Sequence, residues 1–455
     1  MQTSSMPLWA LSVILSCAAC GSGSGPSDAG ADSSTASADS GARDAGRRDA
    51  GRRDAGRRDA GRPRTDAGPP RTDAGPPPTA ADCAGAEVLC VDDTAGPTQE
   101  YATIQEAVDV ATAGDTVLVF EGRYVGFRVA TSGTAEARIT IRAVGTVVLT
   151  GPTSGSDNVV RIQNASYVTV DGFRIAGAGT ARPYDYDFAG MAARGANPGS
   201  PMRGLVVRNM EISGSSPAGF YCSECAGLRL EGNFIHDNVR ETEGGNGMGV
   251  YLSNAATDNV VVRNNRFEDN AGPGIHMNGD SSIGGDGVQT GDLFEGNTFI
   301  GNGQNGLNMD GVQDVVFINN VFADNARHAI RGFQIDAAAG PSGYTIINNT
   351  FALNADTPVK FTADGGGHVL FNNLLVANSG NDFDIAESTP MLSANLMESS
   401  ASGVLMNAAT RNYRLAAGSS AINAGVASFG GYDAPSVDFA GAPRDATPDV
   451  GAFEN

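Results

Sequence analysis

The stretch that decides the fold runs from Phe294 to Asn325. It reads Phe294-Glu-Gly-Asn-Thr-Phe299, Asn302, then Phe317-Ile-Asn-Asn-Val-Phe322 and Asn325. An apolar residue, two or three polar turn residues and a second apolar residue recur on both sides of it. The further units are Val170-Asp-Gly-Phe-Arg-Ile175, Val207-Arg-Asn-Met-Glu-Ile212, Leu230-Glu-Gly-Asn-Phe-Ile235, Val262-Arg-Asn-Asn-Arg-Phe267, Ile346-Ile-Asn-Asn-Thr-Phe351 and Leu370-Phe-Asn-Asn-Leu-Leu375. One column holds Asn233, Asn265, Asn297, Asn320, Asn349 and Asn373. A second holds Asn238, Asn270, Asn302, Asn325, Asn354 and Asn378. The first column is spaced by 32, 32, 23, 29 and 24 residues, so 23 is one bare coil and the excess is loop insertion. A repeat of this length, built of short β-type segments with one turn residue kept per unit, is a solenoid signal. Helical repeats would need longer 3.6-period stretches. Coils of a parallel solenoid stack about 4.8 Å apart, so equivalent residues form ladders. Asn tolerates a left-handed turn and can bond the Asn above and below through its amide. The twelve asparagines are therefore structural and are excluded as catalytic candidates.

Toward the N-terminus, Thr103-Ile104-Gln105-Glu106 is a capping box that opens a short helix through about Thr112. Ala113-Gly114-Asp115 stops it, and Thr116 to Phe120 reads as a strand. Tyr101-Ala-Thr-Ile-Gln-Glu-Ala-Val, Ala113-Gly-Asp-Thr-Val-Leu-Val and Gly122-Arg-Tyr124 together resemble the N-terminal cap of the pectate-lyase-like β-helix superfamily. In that family the helix plugs the end of the apolar core. The tail is similar to the C-terminal segment of many secreted β-helix proteins: Tyr413-Arg-Leu-Ala-Ala-Gly-Ser-Ser-Ala-Ile-Asn-Ala-Gly425, Asp438-Phe-Ala-Gly-Ala-Pro-Arg444 and Pro448-Asp-Val-Gly-Ala-Phe-Glu454. The expected fold class is all-β: a right-handed parallel β-helix over 83–455, with a short N-terminal capping helix and a C-terminal capping segment from about 405. The superfamily includes lyases, hydrolases, epimerases and adhesive proteins, so the resemblance sets the fold and not the reaction.

Before the solenoid, Leu8 to Ala19 is an apolar run too short to span a bilayer. It ends in Ser16-Cys17-Ala18-Ala19-Cys20-Gly21, which looks like a bacterial lipoprotein signal with Cys20 as the lipidated residue. Cys17 is the alternative. The region before the apolar run lacks Lys and Arg, which leaves an ordinary cleaved signal as the other account. Residues 21–82 are a low-complexity linker in which Asp44-Ala-Gly-Arg-Arg48 repeats and decays into Asp-Ala-Gly-Pro-Pro units. With almost no large apolar side chain to bury, such a segment is expected to be disordered. Residues 1–82 carry ten Arg and ten Asp. The rest holds 20 basic and 41 acidic side chains, so the net charge of −21 falls on residues 83–455. So acidic a domain argues against nucleic acid as a partner. The expected location is the outer membrane or cell surface as a lipoprotein, or otherwise secretion. Membrane contact would be through the anchor alone, and the expected state is a monomer. Four cysteines remain after the signal, and an even count in an oxidising compartment suggests disulfides. Cys83 with Cys90 would staple the start of the folded part. Cys222-Ser-Glu-Cys225 has redox-motif spacing but no thioredoxin-like context, so a local clip is the better account.

Chemistry is sought on the strand that follows the second Asn column. Phe220, Val250, Ile275, Leu307, Ile330, Val359 and Phe383 read as inward. Alternation then points Tyr221, Tyr251, His276, Asn308, Arg331, Lys360 and Asp384 outward. Two residues on come Ser253, Asn278, Asp310, Phe333 and Thr362. A polar outer face is ordinary for any solenoid. Two details raise this one: Lys360 is the only lysine in the chain, and Arg331 should lie one rung away. A nearby cation depresses a lysine and would help it act as a base. In β-helix polysaccharide lyases a Lys or Arg on such a face takes the C5 proton of a uronic acid, and calcium or another cation holds the carboxylate. The resemblance implies Lys360 as base, Arg331 as carboxylate or acid partner and His276 as an alternative acid. Tyr251, Asn278 and Asn308 would contact substrate, and Asp310 with Asn308 would take an oxygen-ligated cation such as Ca2+. The activity implied is that of a polysaccharide lyase or glycoside hydrolase, with a polysaccharide or cell-surface glycan as partner. The alternatives are a non-catalytic surface adhesin and a structural envelope protein. The insertion Glu241–Asn246 and the loop Asp280–Asp292 are Gly-rich and acidic, and carry no calcium-repeat spacing. His236, His328 and His368 fall on different columns and are expected at the surface.

Overall fold

The computed structural model describes residues 80–94, 100–178, 189–239, 247–380, 382–385 and 387–455. The chain divides into Met1–Ala67 and Gly68–Asn455, and every described residue lies in the second unit. The signal segment with Cys20, the linker up to residue 79 and the insertion 241–246 fall outside the described residues. Among the described residues no helix is long and apolar enough to cross a membrane.

Each coil carries three short strands, and equivalent strands pair in parallel from coil to coil. The first face is a ten-stranded sheet that includes Ala218–Ser223, Met248–Ser253, Ile275–Asn278, Leu307–Asp310, Ile330–Phe333, Val359–Phe361 and Phe383–Ile385. The second face runs through Val261–Arg263, Leu293–Glu295, Val316–Ile318 and Thr345–Ile347, the third through Arg266–Glu268, Thr298–Ile300, Val321–Ala323 and Thr350–Ala352. In the strands of the second and third faces the central apolar residue points into the lumen. Phe267, Phe299, Phe322 and Phe351 stack face to face there at centroid spacings of 4.8, 4.7 and 5.3 Å. The spacing is that of neighbouring strands, so the rings stack one per rung along the core. The fold is a parallel β-helix.

Polar ladders hold the two corners flanking the third face. Asn297 shows the pattern: its backbone N–H and its Nδ2 both donate to Asn320 Oδ1 at 2.9 Å, and Nδ2 also donates to the Val262 carbonyl at 2.8 Å. Its own Oδ1 accepts the N–H and Nδ2 of Asn265 at 2.9 and 3.0 Å. Asn302 repeats this in the second column with Asn325 and the Phe267 carbonyl. The left-handed conformation belongs to the residue before each ladder Asn and not to the ladder Asn itself. Asn264, Asn319, Asn348 and Asn372 have φ of 57°, 54°, 52° and 56° in the first column, and Asp269 and Asp324 have 53° in the second. Two jobs that the sequence reading gave to one residue are thus split between neighbours: one makes the turn and the next ties the coils. The first ladder also runs one coil further, to Asn395, which accepts from Asn373 at 2.9 Å.

The two ends differ. At the N-terminus the helix Ile104–Val110 carries the full capping box, with the Thr103 N–H donating to Glu106 Oε2 at 3.0 Å and the Glu106 N–H donating to Thr103 Oγ1 at 3.3 Å. Its Ile104, Ala107 and Val108 are buried in the first coils. At the C-terminus the chain leaves the coils after Leu396–Glu398. Instead of covering the open end, it folds back along the outside of the third face. There Val404, Leu405, Tyr413, Leu415, Val450 and Phe453 bury Ile300, Val321, Ala323, Ala352 and Val376. Arg411 reaches Asp269 at 2.8 Å, and Asn348 donates to the Asp449 carbonyl at 2.9 Å. Leu392 and Met397, the inward residues of the last coil, stay 48% and 44% exposed. The expected C-terminal cap is therefore a strap along the flank.

Both disulfides form, Cys83 with Cys90 and Cys222 with Cys225. Cys222 lies on the inward column between Ala193 and Leu252, so the second bridge is a clip inside the core.

Candidate functional site

The register of the first face is the one read from the sequence. Phe220, Val250, Ile275, Leu307, Ile330, Val359 and Phe383 lie opposite one another in successive coils, pointing inward. Tyr221, Tyr251, His276, Asn308, Arg331, Lys360 and Asp384 form the neighbouring outward column. All the named site residues on this face therefore come together on one stripe, but their surroundings divide it into parts.

The first part is aromatic and covered. Tyr221 and Tyr251 pack at 5.5 Å within a small apolar cluster with Ala189, Ala192, Ala218 and Met248. Tyr251 stacks on His276 at 4.9 Å, and its hydroxyl accepts from Asn278 Nδ2 at 3.4 Å. Tyr251 and Asn278 are both buried, so neither presents an open contact surface. Burial pushes the His276 imidazole down to about 4, so the ring is neutral near pH 7. His276 Nδ1 lies 3.2 Å from the Asn308 carbonyl and 3.0 Å from Asn308 Nδ2. Asn308 Oδ1 in turn accepts from Asn305 Nδ2 at 2.9 Å. His276 and Asn308 are thus tied to each other across the rungs.

The second part is charged. Lys360 Nζ donates to Asp384 Oδ2 at 2.7 Å. Its charge is therefore met by the next rung, while Arg331 sits on the rung before. Arg331 is half-buried, with its guanidinium over the Phe333 ring at 4.8 Å. Burial lowers it below the usual arginine value, Arg327 adds to that, and Asp310 opposes it. Among the described residues no carboxylate lies within 4.0 Å of this guanidinium, and it makes no hydrogen bond. A half-buried planar cation with five unused donors is arranged to receive a carboxylate or sulfate.

Asp310 Oδ1 accepts the Ile335 N–H and its Oδ2 the Asp336 N–H, both at 2.8 Å, so the carboxylate holds a loop in place. Among the described residues no three His, Cys, Asp or Glu side chains converge as a metal group. In the loop Asp280–Asp292 the acids also serve the backbone: Asp280 caps Ser282, Asp286 accepts from Val288, and Asp292 accepts from Val260 at 2.8 Å. Burial pushes Asp292 well above the usual carboxylate range.

The other histidines are buried, against the expectation of a surface position. His236 stacks on Phe234 at 3.8 Å with Nδ1 2.7 Å from Asp237. His328 Nδ1 meets the Thr357 carbonyl at 2.7 Å. His368 accepts the Tyr344 N–H at 3.1 Å and donates to Asp364, which Ser388 also bonds. Each lies near a corner, where a ring that both fills space and bonds backbone or carboxylate is well accommodated, and that context is invisible in a column count. The sequence reading also passed over Asp384 as a partner for Lys360, although both stood in the same column, and over Arg327, two residues past the ladder Asn325.

A family model described as "Right handed beta helix region" matches residues 152–287 and 285–416. Among curated proteins nothing matches the chain. Among solved structures the chain is similar to pectate lyase Pel9A, with 16% identity, a TM-score of 0.61, and 81% of this chain and 96% of that one covered. An alginate lyase from Paenibacillus sp. str. FPU-7 aligns at 20% identity and TM-score 0.49 over 68% and 98% of the two chains. PfbA, a surface adhesin of Streptococcus pneumoniae, aligns at 11% and 0.47 over 64% and 77%.

Proposed function

The chain belongs to the right-handed β-helix family, and from that premise we propose that it is a glycan-binding protein whose ligand lies on the outward stripe of the first face. One observation carries the reading: Arg331 is half-buried over Phe333, with no anion beside it among the described residues. Leaving a guanidinium desolvated and unpaired costs stability unless a ligand meets it. Arg331 is read as the anchor for a carboxylate or sulfate on the glycan, with Phe333 holding the guanidinium flat. The fold offers carbohydrate as the ligand class, since pectate lyase Pel9A shares it. Display at the cell surface through lipidated Cys20 and the Asp-Ala-Gly-Arg-Arg linker belongs to the same proposal, because a tethered binding domain needs reach.

A second reading, β-elimination with Lys360 as base, rests on the rung adjacency of Arg331 and Lys360. The engagement of Nζ with Asp384 speaks for binding over proton transfer, because a base needs its lone pair directed at substrate. The test is to incubate the full chain with a panel of uronate polysaccharides, with and without calcium, while binding is recorded in parallel. Retained polymer with no new ultraviolet absorbance supports binding. An unsaturated product that disappears in Lys360→Ala would establish the lyase, and no retention on any glycan would overturn both.

A further inference from the structure

The last coil of the solenoid is unfinished on its outer side. Phe383–Ile385, Met391–Ser393 and Leu396–Glu398 each pair with the coil before and, among the described residues, with no strand beyond. The Met391 N–H donates to the His368 carbonyl, and the Ser393 carbonyl accepts the Asn372 N–H. Parallel pairing alternates sides along a strand, so the N–H and carbonyl of Leu392, between them, face the open end. Leu396 and Glu398 bond backward in the same way, which turns the backbone of Met397 to the open end as well. Inside these edges lie the inward side chains of the coil: Phe383 and Ile385 are half-buried, Leu392 and Met397 exposed. A free β-edge is ordinarily guarded by charge or by a cover. From Thr389 to Met397 there is no charged residue, and Pro390 limits the edge only where that strand begins.

The chain's own segments do not supply the cover. The part after Glu398 packs on the flank through Phe453. Residues 21–79 contain no Val, Ile, Leu, Met, Phe, Tyr or Trp, so they bring nothing to bury against an apolar end. Acids near the rim are engaged within the chain: Asp384 by Lys360, Glu387 by the N–H groups of Ala363 and Asp364, and Glu398 by the Ser420 hydroxyl. An apolar centre within a bonded polar rim is the anatomy of an interface. A partner that meets all three edges at once must itself end in an uncapped, three-sided coil of the same cross-section. A second copy has that end. A two-fold axis perpendicular to the solenoid lays one end on the other and sets the facing edges antiparallel. Head-to-tail stacking would need the first coil open too. The helix Ile104–Val110 closes it, burying Ile104, Ala107 and Val108 there.

We propose that the C-terminal end of the solenoid is a self-association surface. Two copies join tail to tail through Leu392, Met397 and the free edges around them, giving a closed dimer in place of the monomer expected from the sequence.

The experiment is sedimentation equilibrium of the full chain from about 0.1 to 100 μM, a range that brackets a modest interface. Hydrogen exchange is followed at both extremes. The mass is expected to rise from one chain to two and stop there. The Leu392 and Met397 amides should exchange about tenfold more slowly in the concentrated sample. Leu392→Lys, at a position already exposed, should hold the mass at one chain with a urea midpoint near the native one. Met397→Lys is the second variant, and if both unfold the exchange result decides. Val110→Lys, on the exposed side of the plugging helix, should still dimerise. A mass of one chain at every concentration overturns the proposal, and so does a mass that climbs past two. It is equally overturned by a dimer that survives both folded lysine variants, by one lost in Val110→Lys, or by amides at 392 and 397 that gain no protection.

Discussion

Two sets of polar residues run along this solenoid, and they are built on opposite logics. The asparagine ladders at the corners are repetitive, buried and fully bonded: Asn297 alone takes part in five hydrogen bonds to the coils on either side. The outward stripe on the first face changes residue at nearly every rung, and its Arg331 is bonded to nothing described. Regularity marks what holds coils together, because each coil poses the same backbone problem and one side chain solves it each time. Irregularity together with an unmet cation marks a place where something outside the chain completes the structure.

Breaking the ladder should have the largest effect. Asn297→Ala strands the Val262 carbonyl and leaves Asn265 and Asn320 with lost partners in a buried corner, a cost of about 3 kcal/mol. Urea unfolding checks it, and a loss under about 1 kcal/mol would show that the ladder is decorative. Asn395→Ala removes the terminal rung, which is only partly buried and has no ladder Asn beyond it among the described residues, and should cost about 1 kcal/mol. Equal losses at Asn297 and Asn395 would contradict the idea that each rung's worth comes from neighbours on both sides.

The link between His276 and Asn308 sharpens the contrast through pH. The folded value near 4 lies below the ordinary 6.5, so the unfolded chain takes up the proton first. Above about pH 6.5 the group has no effect. From there down toward 4 it lowers stability. The urea midpoint should therefore fall between pH 7 and pH 5 by more in the native protein than in His276→Gln. Identical pH dependence in the two would mean that the ring is not held neutral. A smaller effect still is expected from a chelator: with Asp310 engaged by Ile335 and Asp336, EDTA should leave the urea midpoint and glycan retention unchanged within error. A clear loss would point to a cation that the donor set at Asp310 does not reveal.

Much of this was legible in the sequence because the repeat is exact where the backbone demands it. The column from Phe220 to Phe383 and the stripe beside it have the register read from alternation. Asn395 was missed because its turn uses Ala394 with φ of 48°, where the other coils carry Asn or Gly, and the unit lost its signature. The buried histidines and the flank position of the C-terminal strap were not legible. They depend on which outer surfaces happen to be apolar, such as Ile300, Val321 and Ala323, and outer residues obey no repeat. The pairing of Lys360 with Asp384 was half legible: the column set them side by side, but only side-chain geometry shows that Nζ turns toward Asp384.

The most direct test of the contrast between the two sets of residues is a paired measurement on Arg331→Gln: urea midpoint and retention on the uronate polysaccharides, each against the native chain. The prediction is a midpoint change worth about 0.5 kcal/mol or less, with retention lost. A variant that unfolds several kcal/mol sooner, or that keeps its grip on the glycan, would contradict the assignment of Arg331 to ligand binding.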